Sequence, residues 1–94
     1  MISYEWVYEE SDQWGDIIDP LFSETLADAK DNKQQNPDNA VNIALVRNET
    51  NDSEGLQCRE YAYIASGRLP AEFDDGYRIP KRFHSEVKAV FGGI

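Results

Sequence analysis

One cysteine and one histidine in 94 residues exclude several chemistries at once. Cys58 alone forms no internal disulfide, and with His84 it falls short of a zinc site, which wants several such ligands at short spacing. No run approaches the ~20 apolar residues of a membrane span. Met1-Ile-Ser-Tyr-Glu also lacks the charged-then-apolar pattern of a signal peptide, so a cytoplasmic location is expected (a host's cytoplasm if a phage encodes the chain). Neither Gly-x-x-x-x-Gly-Lys nor a strand-linked glycine-rich turn is present to cradle a phosphate. The stretch Asn48-Glu-Thr-Asn-Asp-Ser-Glu-Gly55 offers oxygen ligands without the ordered acids, central glycine and closing glutamate of a calcium loop. No metal and no cofactor is expected.

Positive charge is missing from the whole first part of the chain. Residues 1–28 hold eight acids and no Lys or Arg, residues 29–57 five acids and three bases, and residues 58–94 five acids and six bases. The formal net charge of −9 therefore belongs almost entirely to the first 28 residues. An excess of anions disfavours direct contact with a nucleic-acid backbone or an anionic membrane, since both are bound by cations that replace counterions.

What is present is the material of a folded domain: 40% hydrophobic and 12% aromatic residues, enough for one small core. Nothing repeats internally, and residues 1–94 are read as a single domain. Ile2, Tyr4, Trp6 and Tyr8 alternate with Ser3, Glu5, Val7 and Glu9, the period of a strand. Asp19-Pro20 reads as a helix start, with Asp as cap and Pro at the first helical position. Phe22, Leu26 and Ala29 then share one helical face. Ala40–Arg47 and Leu56–Ala65 read as two strands joined by the polar loop 48–55. Pro80 opens a last helix whose stripe is Phe83, Val87, Val90 and Phe91. The order predicted is β-α-β-β-α, an α+β fold with a three-stranded, mostly antiparallel sheet and two helices packed on one face. The expected core is Trp6, Phe22, Leu26, Val41, Ile43, Leu45, Ile64, Phe83, Val87 and Val90.

Catalysis by a nucleophile needs a base and an orienting group beside it. Cys58 has Leu56 and Ile64 on its strand face and reads as a small buried hydrophobe. His84 lies at the edge of the last helix's apolar stripe. No enzymatic set assembles from them, and paired acids such as Asp74-Asp75 read as solvated. Tyr77-Arg78-Ile79-Pro80-Lys81-Arg82-Phe83-His84 is a cationic, aromatic patch, read as pairing with the acids just upstream, or as a contact surface for an anionic partner.

The acidic first third is the feature that stands out. A one-sign field costs self-repulsion and favours encounter with a basic partner. The expectation is a non-enzymatic, protein-binding inhibitor whose face of Glu5, Glu9, Glu10, Asp12, Asp16, Asp19 and Glu24 imitates nucleic-acid phosphates and docks on a basic, nucleic-acid-binding protein. Trp14 is either an aromatic anchor in that contact or a lid on the core. In size and charge alone, the chain is like the small acidic inhibitors that phages and plasmids direct at host nucleic-acid machinery. The alternative is a structural or adaptor subunit, or a homodimer, assembling through the aromatic face of Ile2, Tyr4, Trp6 and Tyr8 or through an exposed sheet edge.

Overall fold

The computed structural model of the chain describes residues 1–11, 14, 17–35, 40–51, 55, 57–64 and 67–91, with the backbone alone at 10, 11, 17–20, 32–35, 40, 41 and 57. Six elements follow in order: β1 (Ile2–Ser11), β2 (Ile17–Ser23), α1 (Leu26–Gln35), β3 (Ala40–Thr50), β4 (Gln57–Ile64) and α2 (Lys81–Phe91). The fold is α+β. Its strands form one antiparallel sheet in the order β2-β1-β3-β4. The sheet has four strands rather than the three expected, because residues 17–23 extend along β1 instead of opening a helix. Asp19-Pro20 suits a helix cap, but proline is equally at home in an edge strand, and β2 is an edge.

The helix that was expected from Pro20 begins at Leu26. Thr25 is its cap: the Thr25 hydroxyl accepts the N–H of Asp28 at 3.1 Å. A second cap comes from far along the chain, where the Glu86 carboxylate on α2 accepts the N–H of Leu26. That contact joins the start of α1 to the middle of α2.

Period two in the strands sorts the side chains onto two faces. Trp6, Ile43, Leu45 and Ala62 share one buried cluster with Leu26 and Ala29 of α1 and Phe83 and Val87 of α2, so both helices cover the same face. Ile64 and Val90 pack against this cluster while partly exposed. Phe83 stands edge-on to Trp6 at 5.9 Å and leans on Tyr4 at 5.1 Å. Among the described residues no helix lies on the opposite face, and its centre is Val7, Ala44 and Val46. Phe22, expected in the core, belongs to this open face because it pairs with Val7, and it is 38% exposed. The side chain of Val41 lies outside the described residues.

The two hairpins are built on one plan. Trp6 pairs with Ser23 in the first and Leu45 with Ala62 in the second, while Trp6 and Leu45 pair with each other across the middle. The shift that carries Trp6 onto Leu45 thus carries Ser23 onto Ala62, and each hairpin leads into a helix. Val7 corresponds to Val46, but Tyr8 falls on Arg47 and Glu9 on Asn48, so the repetition is absent from the residue pattern.

The second hairpin reaches its helix through a long connection, residues 67–80, which adds Phe73 and Ile79 to the core. It turns on Gly76 at φ +87, with the Gly76 N–H donated to Phe73 O and the Phe73 N–H donated to Tyr77 O. Gly67, at φ +75, lies where a Cβ would meet the Phe91 side chain at 2.7 Å. Arg47 holds the connection down. It is 5% exposed, and its guanidinium bonds Glu60 at 2.9 Å, Glu49 at 3.3 Å and Asp75, and lies 4.0 Å from the Tyr77 ring. Asp75, read as a solvated acid, is therefore an ion-pair partner, and it also accepts the Tyr77 N–H at 3.1 Å.

Leu45 is fully buried at the centre of the sheet. Leu45→Ala is expected to cost about 2–5 kcal/mol in urea unfolding, and a loss under about 1 kcal/mol would mean that the register is wrong. Arg47→Met leaves Glu60 and Asp75 without their cation. A loss of about 3 kcal/mol is expected, the low end for a broken buried pair because both acids keep water contact, and protease cleavage within 67–80 should accelerate.

Candidate interaction surface

The acidic first third folds into the β1–β2 hairpin and the start of α1, which occupy one edge of the sheet. Alternation along β1 sends Glu5, Val7 and Glu9 to the open face. Glu5 is half-buried there, and its carboxylate accepts the Asn48 amide N–H at 2.7 Å. Glu9 is not at the surface: it is 3% exposed. It sits on an inner strand, flanked by Pro20 and Asn42, and Tyr63 of β4 reaches over to donate its hydroxyl at 3.1 Å. The expected docking face therefore keeps the charge of Glu9 but not its contact.

Glu24 is exposed at the end of β2, and Trp14, in the turn between the strands, is 77% exposed. Trp14 is thus no lid on the core. Glu10 and Asp19 face each other as a backbone pair, with side chains outside the described residues, and Asp12 and Asp16 lie outside them altogether.

Where β1 runs past the end of β2, a cavity of about 370 Å³ opens. Glu5, Glu24 and Glu86 give it three carboxylates, Arg82 one guanidinium, and Phe22 and Phe83 part of its walls. Arg82 already stacks on Phe83 at 4.4 Å, and Arg59 of β4 crosses the open face to lie 4.8 Å from the Phe22 ring. Glu86 was not singled out from the sequence. Its role depends on α2 meeting α1, which no local pattern records. Thr25-Leu-Ala-Asp28, by contrast, carries a legible capping signal.

The cationic patch of residues 77–84 is dispersed. Tyr77 lies against Arg47, Arg78 forms an isolated bridge with Glu72, and the His84 ring contacts Ile79 O at 3.1 Å. Among the described residues every ion pair runs through Arg47, so Asp75 serves that residue and not Lys81 or Arg82. Cys58, expected to be buried, is exposed in β4 beside Glu49. No hydrogen bond among the described residues joins it to His84. Among those residues, no cluster of His, Cys, Asp or Glu is placed to hold a metal ion, and no helix is long and apolar enough to cross a membrane. Comparison with protein-family models, curated proteins and solved structures finds no match.

Partial burial first, and then the negative charge of Glu9, raises the Tyr63 phenol above its ordinary pKa of 10.0. A raised folded pKa favours the protonated form, so this contribution to stability is present below the unfolded pKa and is lost as pH rises through the folded one. In a tyrosinate absorbance titration, Tyr63, identified by its loss in Tyr63→Phe, should titrate late. In Glu9→Gln that residue should titrate earlier, yet still above free tyrosine because burial remains. No change on substitution would mean that Glu9 and Tyr63 are apart in solution.

Proposed function

We propose that this chain is a non-enzymatic binding protein of the inhibitor type, whose β1–β2 end docks on a basic surface of a nucleic-acid-binding protein in place of nucleic acid. The observation that carries the reading is Trp14: a large aromatic side chain 77% exposed at the turn of a hairpin that contains acids and no base. Tryptophan is among the residues enriched in interface hot spots, and a one-sign field speeds encounter with an opposite surface. Glu10, Asp12, Asp16 and Asp19 are the acidic neighbours of Trp14 in the sequence, and Glu24, Glu5 and Glu9 add negative charge along the hairpin. The adaptor alternative loses one of its two surfaces, because Trp6 and Tyr8 are fully buried.

The test is retention of cellular nucleic-acid-binding proteins on the immobilised chain, beside a variant with Trp14→Ala, Asp12→Asn, Asp16→Asn and Glu24→Gln. Retention should fall steeply from low to physiological salt, be displaced by duplex DNA or RNA, and be largely lost in the variant. Retention indifferent to salt, competitor and the four changes would overturn the reading.

A further inference from the structure

The two edges of the sheet differ. β2 carries Pro20 at its middle and lies beside the acidic third, and the register between β1 and β2 slips at Glu10/Ser11. Proline, charge and irregularity are the devices that keep an edge from pairing with another chain. At the other edge, β4 runs eight residues with no proline and no recorded bulge. Among the described residues, no backbone group of β4 bonds anything but β3. Its two charged side chains do not guard it either. Arg59 is drawn across the open face to Phe22, and Glu60 is drawn onto the helix face, where it holds Arg47 and accepts the Asp75 N–H at 3.0 Å.

We infer that β4 pairs antiparallel with β4 of a second copy, joining two sheets into one of eight strands. Charge distribution selects a second copy as the occupant. A chain at −9 repels itself, yet the strand order puts the acidic hairpin at the edge away from β4, while residues 58–94 hold five acids and six bases. Pairing through β4 sets the two β2 strands roughly 34 Å apart, well beyond a Debye length of about 8 Å. Any pairing through β2 would bring them together.

A two-fold axis normal to the sheet keeps each face with its own kind, so residues of equal parity oppose each other. Centred on Tyr61, it places Arg59 against the second copy's Tyr63, Glu60 against Ala62 and Cys58 against Ile64. No like charges face each other. A register centred on Arg59 or on Glu60 sets two identical charges opposite, which is unfavourable. Tyr63 is 48% exposed and offers Arg59 a ring in addition to Phe22. The contact is mostly main-chain, so a weak dimer in the micromolar range is expected.

This inference is independent of the partner of the acidic hairpin. Its test is the mass in solution by analytical ultracentrifugation across a concentration series, with the chain alone. The parent should shift from monomer to dimer. Tyr63→Lys should weaken the dimer at least tenfold, and Leu21→Lys, on the far edge, should leave it unchanged. In a Cys58→Ser background, Tyr61→Cys should form a covalent dimer on mild oxidation in proportion to the non-covalent one. If Tyr63→Lys unfolds the chain by circular dichroism, the crosslink decides. A parent that stays monomeric at millimolar concentration overturns the inference, as does a dimer lost with Leu21→Lys but kept with Tyr63→Lys.

Discussion

A buried guanidinium fixes the second half of this molecule. Removing Arg47 from water costs several kcal/mol unless carboxylates surround it, and the chain brings them from three places: Glu49 two residues on, Glu60 across the hairpin and Asp75 from the long connection. The first two come with the β3–β4 register. Asp75 comes only if residues 67–80 fold back onto the helix face. Once they do, Tyr77 and Phe73 lie over the guanidinium at 4.0 and 5.8 Å, and Phe73 and Ile79 enter the core. The start of α2 is thereby placed, so that Phe83 meets Trp6 and Glu86 reaches the first turn of α1. A charge that would destabilise an isolated hairpin thus becomes the reason a structureless stretch has one conformation.

How much of this the sequence discloses depends on the range of the interaction responsible. β3, β4 and α2 are legible because alternation, a polar turn and Pro80 are local signals, and they fall within a few residues of the observed bounds. β2 is not, because Ile17-Ile18-Asp19-Pro20 satisfies two local grammars and only pairing with β1 chooses between them. The error propagates: Phe22, counted as a helical core residue, lies on the open face under Arg59. Arg47 looks like the polar end of a strand, and its burial is decided by Asp75, far along the chain. In the candidate surface, the pattern places Glu5 and Glu9 on one face correctly, but it cannot tell that Tyr63 closes over Glu9.

The uncovered sheet face follows from the same economy. Two short helices suffice for one side of four strands and no more. On the other side Val7, Ala44 and Val46 are nonetheless fully buried, because long side chains from the two edges lie down over them: Phe22 and Arg59 meet above the centre, and Tyr61 and Tyr63 pack together at 6.0 Å. Arginine and tyrosine can cover apolar surface with their stems and rings while keeping polar tips in water. The face is roofed by its own margins, which draws Arg59 away from the β4 edge, whose main chain has no partner but β3 among the described residues.

Satisfying a carboxylate is different from neutralising it, and this distinction separates the two halves of the molecule. In the β3–β4 half, Glu60 and Asp75 share a cation, which offsets part of their charge locally. In the β1–β2 half, Glu5 takes an amide N–H and Glu9 a phenol O–H. Neutral donors of this kind occupy oxygen lone pairs and lower the cost of burial, but they carry no net charge, so the negative field of both acids continues outward. Lys and Arg are absent from residues 1–28, so no base from this hairpin can intercept that field. Arg59 over Phe22 and Arg82 beside Glu5 and Glu24, brought from other elements, offset part of it, and solvent and salt screen the rest over about 8 Å at physiological ionic strength. Self-repulsion among these acids works against stability, and nothing in the packing of β1 and β2 requires their charge. A charged half that packing does not need, with an exposed tryptophan at its turn, is the physical ground on which the proposed docking to a surface of opposite sign rests.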